Sequence, residues 1–168
     1  MNVADLLVDG FGRVRELVHE AVDGLTAEQL AARPGPDANS IAWLIWHLTR
    51  VQDDHVADVA GVEQTWTAQN WHGRFGLPFP AGATGYGHRS KDVAQVRTES
   101  PELLTGYYDA VHEHTVSWVA GVDEAALDRV VDERWTPAVT LGVRLVSVLS
   151  DDLQHAGQAA YVKGLLLA

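Results

Sequence analysis

The 168-residue sequence has no cysteine, which excludes both a disulfide framework and a thiol nucleophile. Any sulfur chemistry must therefore use a thiol supplied from outside. Basic residues are also scarce. Lys and Arg together number 12 against 23 Asp and Glu, and the formal charge of −11 repels phosphate backbones and anionic lipid surfaces. Nucleic acid and membrane surfaces are excluded as expected partners. No apolar run approaches the roughly 20 residues of a membrane span, and Asp5 and Asp9 interrupt the N-terminal apolar stretch, so a cytoplasmic location is expected. Strand-like alternation, internal repeats and low-complexity segments are absent as well. A chain of this length is expected to form one domain, 1–168, around a single core.

What the sequence does contain is helical periodicity. Val3, Leu7, Val14, Leu17 and Ala21 share one face of a first helix that stops at Gly24. Thr26-Ala27-Glu28-Gln29 reads as a capping box for a short turn, closed by Arg33-Pro34-Gly35-Pro36. Asn39 or Ser40 caps a second long helix from Ile41 to about Ala60, with Gly61 just past its end. Residues 61–90 hold glycines, prolines and aromatics without a period, which predicts a long crossover serving as a functional cover. Within it, Ser90 starts a short helix. Ser100-Pro101-Glu102 opens a third long helix to about Ala120, with Leu104, Tyr108, Val111, Thr115 and Trp118 inward. After a turn at Asp123–Leu127 and a break at Pro137, Thr140 caps a last helix from Leu141 to about Leu166. The expected fold class is all-α, a four-helix bundle with a long crossover between its second and third long helices.

The last helix carries the chemistry. Stepping by threes and fours gives Leu141, Arg144, Val148, Asp151, His155, Gln158, Val162 and Leu165, apolar at both ends and polar in the middle. Asp151 and His155 are four residues apart, so their side chains are neighbours on a helix. On the second helix, His47 interrupts a stripe of Leu44 and Val51 in the same way. Buried Asp and His need partners, and either a metal ion or a hydrogen-bonded His47–Asp151 pair would serve. Two imidazoles and a carboxylate suit one divalent metal, Zn²⁺, Ni²⁺ or Fe²⁺, and three protein ligands leave a position open. Arg144 either holds a substrate carboxylate or pairs with an internal Asp. Gln158 either bonds a ligand or substrate or packs beside His155. Asp54 and His55 lie two turns past His47, at a solvated helix end or within reach of the site. Trp71, His72, Arg74 and Phe75 line the mouth or pin the crossover. A di-iron site built on Glu16-x-x-His19, Asp109-x-x-His112 and Asp152-x-x-His155 fails, because the first two pairs lie off their helices' apolar faces.

Trp46-His47-Leu48 on the second helix, Asp151-x-x-x-His155-x-Gly157-Gln158 on the last, and Asn39-Ser40-Ile41-Ala42-Trp43 after the Pro-rich linker resemble the DinB/YfiT-like superfamily of metalloproteins. The resemblance covers nearly the whole chain. It implies a four-helix bundle and a metal held by His47, Asp151 and His155. Most members have histidine where Asp151 stands, and a mycothiol-dependent isomerase in the superfamily has the longer glutamate there. It further implies a transferase or isomerase taking a low-molecular-weight thiol such as mycothiol as cosubstrate with an electrophilic small-molecule substrate; with that chemistry, Arg144 and Gln158 are the expected catalytic residues from their places on the seam. Members also form homodimers. Metal-assisted hydrolysis and a non-catalytic metal-binding bundle remain the alternatives.

Overall fold

The computed structural model describes all of residues 1–168. Four long helices make the body: α1 (Val3–Val22), α3 (Ile41–Ala60), α7 (Pro101–Val119) and α8 (Leu141–Leu167). Short helices α2 (Ala27–Ala31), α4 (Thr65–Ala68), α5 (Trp71–Phe75) and α6 (Ser90–Val93) lie in the connections. The caps explain the boundaries. Asn2 and Thr26 form capping boxes at α1 and α2, the Ser40 hydroxyl accepts from the Trp43 amide at 3.2 Å, and Gly61 at φ 70° closes α3 in the left-handed conformation. Around the bundle the order is α1, α7, α3, α8, each packed on the next and α8 back on α1. No helix is long and apolar enough to cross a membrane.

Three expectations are corrected. The crossover is not structureless, since α4 and α5 form within it; helices of four or five residues leave too little periodicity to detect. A small antiparallel sheet was also missed. Val130–Asp132 (β1) pairs with Val139–Thr140 (β2), irregular between Val130 and Asp132, and two- or three-residue strands have no readable alternation. Finally, the buried seam of α8 is rotated from the one inferred by stepping. It runs through Leu141, Arg144, Leu145, Val148, Asp152, Ala156, Ala159 and Val162, while Asp151 and His155 flank it and Gln158 and Leu165 are exposed.

α3 is the central helix, with every residue from Ile41 to Arg50 buried. Its apolar neighbours fall into two clusters. One gathers the start of α3, the crossover aromatics and the facing parts of α1, α7 and α8. The other, at the opposite end, joins Leu7, Phe11, Val59, Val119, Leu141, Leu145 and Val148. Between them lies a polar layer. Tyr108 donates to Gln52 Oε1 at 3.2 Å, Gln52 donates to Thr115 Oγ1 at 2.8 Å, and fully buried Asp152 faces this level from α8 with neither oxygen hydrogen-bonded.

Burial, and then the neighbouring Asp151 charge, holds the Asp152 carboxyl well above the usual carboxylate range. The folded state therefore binds this proton more tightly than the unfolded chain. Its contribution to stability is fully present below the unfolded pKa of about 4 and is lost as pH rises toward the folded value. In metal-chelated protein, Asp152→Asn is expected to be more stable than wild type at pH 7, by about 1–3 kcal/mol, with the advantage gone near pH 4. Urea unfolding at both pH values measures it, and equal stabilities at pH 7 would contradict this account.

Candidate metal centre

His47 sits two turns into α3 because Ser40 starts the helix where it does, and α8 passes alongside to bring Asp151 and His155 opposite. One ligand atom from each of His47, Asp151 and His155 lies within 4.8 Å of the others. The two imidazoles meet edge to face with centroids 4.9 Å apart, and His155 Nε2 is 3.5 Å from Asp151 Oδ1. His47 is buried and the other two are half-buried, so the cluster opens on one side.

Each histidine is oriented by an oxygen behind it. His47 Nδ1 donates to the Thr84 carbonyl at 2.5 Å, and His155 Nδ1 donates to Gln158 Oε1 at 2.9 Å. With Nδ1 committed to these acceptors, each neutral ring presents Nε2 to the centre, which is the state a metal requires, while a proton on His155 Nε2 would point to Asp151 instead. Asp151 Oδ2 is buried with no hydrogen-bond partner. An orphaned carboxylate oxygen beside two such imidazoles fits a divalent cation, as two nitrogens and one oxygen fit zinc chemistry. The neighbouring histidines do not complete the set. Arg144 Nη1 donates to His55 Nδ1 at 3.0 Å, and Trp43 Nε1 donates to His88 Nδ1 at 3.1 Å. A three-donor site leaves room for a further ligand.

Electrostatics separate the three groups. Burial pushes His47 below the ordinary imidazole value despite the Thr84 bond, so it is neutral near pH 7. His155 is raised by its hydrogen bond to Asp151, against burial. Burial pushes Asp151 up, but the His155 bond and the nearby imidazoles hold it below its usual range.

The crossover builds one wall. Gly85, at φ 94°, packs where any added Cβ would lie 2.7 Å from His47 Nδ1 and 3.1–3.2 Å from the Trp46 and Trp43 rings. Trp43 stacks on His47 at 4.5 Å, nearly parallel, and turns its edge to His155 at 6.2 Å. Thr84, Gly85 and Trp43 were not singled out as parts of a site from sequence. A backbone carbonyl leaves no residue signature, and only the glycine-rich run around Gly85 hinted at a close approach.

Of the remaining candidates, Gln158 reaches His155, whereas Arg144 lies two turns away and pairs internally, with Asp58 at 3.4 Å and Asp132 at 3.5 Å. Asp54 accepts from Gln64, and His55 is engaged by Arg144. Trp71 and Phe75 are buried against Tyr107, and Arg74 lies over the Trp71 ring at 3.6 Å, so this segment pins the crossover. His19 bonds Asp109 at 2.8 Å on the face between α1 and α7, away from the cluster.

The sequence model of a family described as mycothiol-S-transferase matches residues 6–167. A crystal structure described as that of the conserved protein of locus from Enterococcus faecalis is 31% identical and superposes with a TM-score of 0.93. The match covers 99% of this chain and 98% of that one. No curated protein matches.

Two outcomes are expected. Gly85→Ala forces His47 off the Thr84 carbonyl and strains a left-handed backbone, so divalent-metal affinity should fall at least about 10-fold, or about 1.4 kcal/mol, with far-UV circular dichroism unchanged. Competition against a chelating dye reads this directly. Metal affinity should also weaken as pH falls, beginning above pH 6.5, because the raised His155 takes up a proton before an ordinary imidazole would. The same titration repeated from pH 8 to pH 5.5 checks it; an affinity flat down to pH 6 would speak against His155 as a ligand.

Proposed function

From the premise that the chain belongs to the mycothiol-S-transferase family, we propose that it is a divalent-metal-dependent transferase joining a low-molecular-weight thiol, such as mycothiol, to an electrophilic small molecule. The observation that carries this reading is the cluster of His47, Asp151 and His155 with both Nδ1 atoms committed to oxygen acceptors and one Asp151 oxygen unpartnered. Zinc is the favoured ion for this donor set. When bound, the ion supplies a positive charge that lowers the pKa of a thiol and makes its sulfur nucleophilic near neutral pH.

The chain's own residues do the rest. Thr84 and Gln158 hold the two imidazoles in the tautomer that presents Nε2. Asp151 brings a negative charge that offsets part of the ion's charge. Trp43 and Gly85 close the site on the crossover side and limit water there. The thiol gives its proton to solvent, its sulfur bonds to the electrophilic carbon, and the leaving group departs with the electron pair of the broken bond. With no cysteine in the chain, no internal thiol competes with the cosubstrate. A cytoplasmic site of action, where such thiols are kept reduced, fits this role.

The test is elemental analysis of the purified protein beside His47→Ala, Asp151→Ala and His155→Ala, together with thiol consumption in the presence of an electrophile. One ion per chain in wild type, lost in all three variants with loss of turnover of 100-fold or more, is the expected result. Wild-type protein that takes up no ion after incubation with Zn²⁺ or Ni²⁺ would remove the reading.

A further inference from the structure

Two separate clefts lie along α3 and α8, one on either side of the three-residue cluster, and they differ in chemistry. Toward the start of α3 lies a cleft of about 350 Å³, lined by Pro34, Leu44, Gln158, Tyr161, Val162 and Leu165. Toward its end lies a cleft of about 310 Å³, lined by Asp54, His55, Asp58, Gln64, Arg134 and Arg144. The first adjoins the cluster closely. Leu44 precedes His47, and Gln158 follows His155, by one helical turn, about 5 Å along each axis. The second is two turns away, about 10–12 Å from His47 along α3.

We propose that the near cleft seats the body of a neutral, apolar electrophile, of the size of one or two rings. This rests on the metal-dependent transfer argued above and names its substrate class. The volume is at the lower end of small-molecule sites. Tyr161 and Leu165 are 70% and 49% exposed, so a continuous apolar wall stands in water beside the cluster. No Lys or Arg lines the near cleft, and its one ionisable carboxylate, Asp37, adds to a net charge of −11, which disfavours an anionic body. Gln158 is shared by both features, since it forms part of the cleft wall and accepts the His155 Nδ1–H bond. A ligand lying there therefore ends one helical turn from a candidate metal ligand. In the far cleft the charges are already paired, Arg134 with Asp132 at 2.8 Å and Arg144 with Asp132 and Asp58, so its lining contrasts with the uncharged wall of the near cleft.

The test uses 1-naphthol as probe on full-length, ¹⁵N-labelled, zinc-loaded protein, with wild type compared against Tyr161→Asp/Leu165→Asp, both positions exposed and outside the cluster. The expected result is amide shifts confined to residues 34–44 and 158–165, and an affinity at least 10-fold lower in the double variant, at unchanged zinc content. Zinc bound with no such shifts, or equal affinity in the double variant, would overturn the cleft assignment and leave the metal reading standing. Naphthol binding to protein that takes up no zinc would overturn the metal reading, and with it the assignment to an electrophile. Shifts of the same residues that appear on raising protein concentration without probe would make the cleft a contact between copies and overturn it too.

Discussion

A helix that is buried around its whole circumference must be covered on every side, and α3 from Ile41 to Arg50 is such a helix, apolar but for His47, Thr49 and Arg50. Two bundle neighbours, α7 and α8, cannot do this alone. The remaining side is closed by the crossover, whose Trp66, Phe79 and His88 pack on Trp46 while Arg50 donates to the Ala83 carbonyl. The same enclosure accounts for the buried ionic group beneath. Asp53 accepts from the Thr65 and Trp66 amides, each at 2.8 Å, and from the Tyr107 hydroxyl, with Arg50 beside it at 3.5 Å. A carboxylate so placed anchors the start of α4 to α3, and the loop that follows is thereby led back across His47.

The candidate site is thus a product of two coverings. α8 supplies Asp151 and His155 because it packs along α3 with its buried seam one residue aside, leaving these two at the edge where solvent and ligand can reach. The crossover supplies the Thr84 carbonyl and the bare backbone of Gly85. Had Asp151 been on the seam itself it would share the condition of Asp152, sealed in and driven toward its neutral form. The small sheet has its own place in this scheme. It holds Asp132 beneath Arg134 and Arg144, which fixes the charged cleft near the end of α3.

Much of this was legible in the residues. Ser40, Gly61, Ser100-Pro101 and Thr140 mark helix ends by local chemistry, so the four long helices and their lengths could be read closely. His47, Asp151 and His155 could be grouped because a four-residue step on α8 sets two side chains together and His47 interrupts the apolar stripe of α3. The rotation of α8 could not be read. Stepping from Arg144 and stepping from Leu145 give equally good stripes, and only packing decides between them. Nor could the orientation of the histidines be read, since Thr84 acts through its carbonyl and not its side chain.

That carbonyl has a thermodynamic consequence. His47 offers a free Nε2 only while residues 84 and 85 lie against it, so docking of this part of the crossover and occupancy of the centre are linked equilibria. By reciprocity, whatever loosens the loop would weaken an ion held at this centre, and such an ion would tighten the loop by the same free energy. An ion held there would thereby order the wall that encloses it.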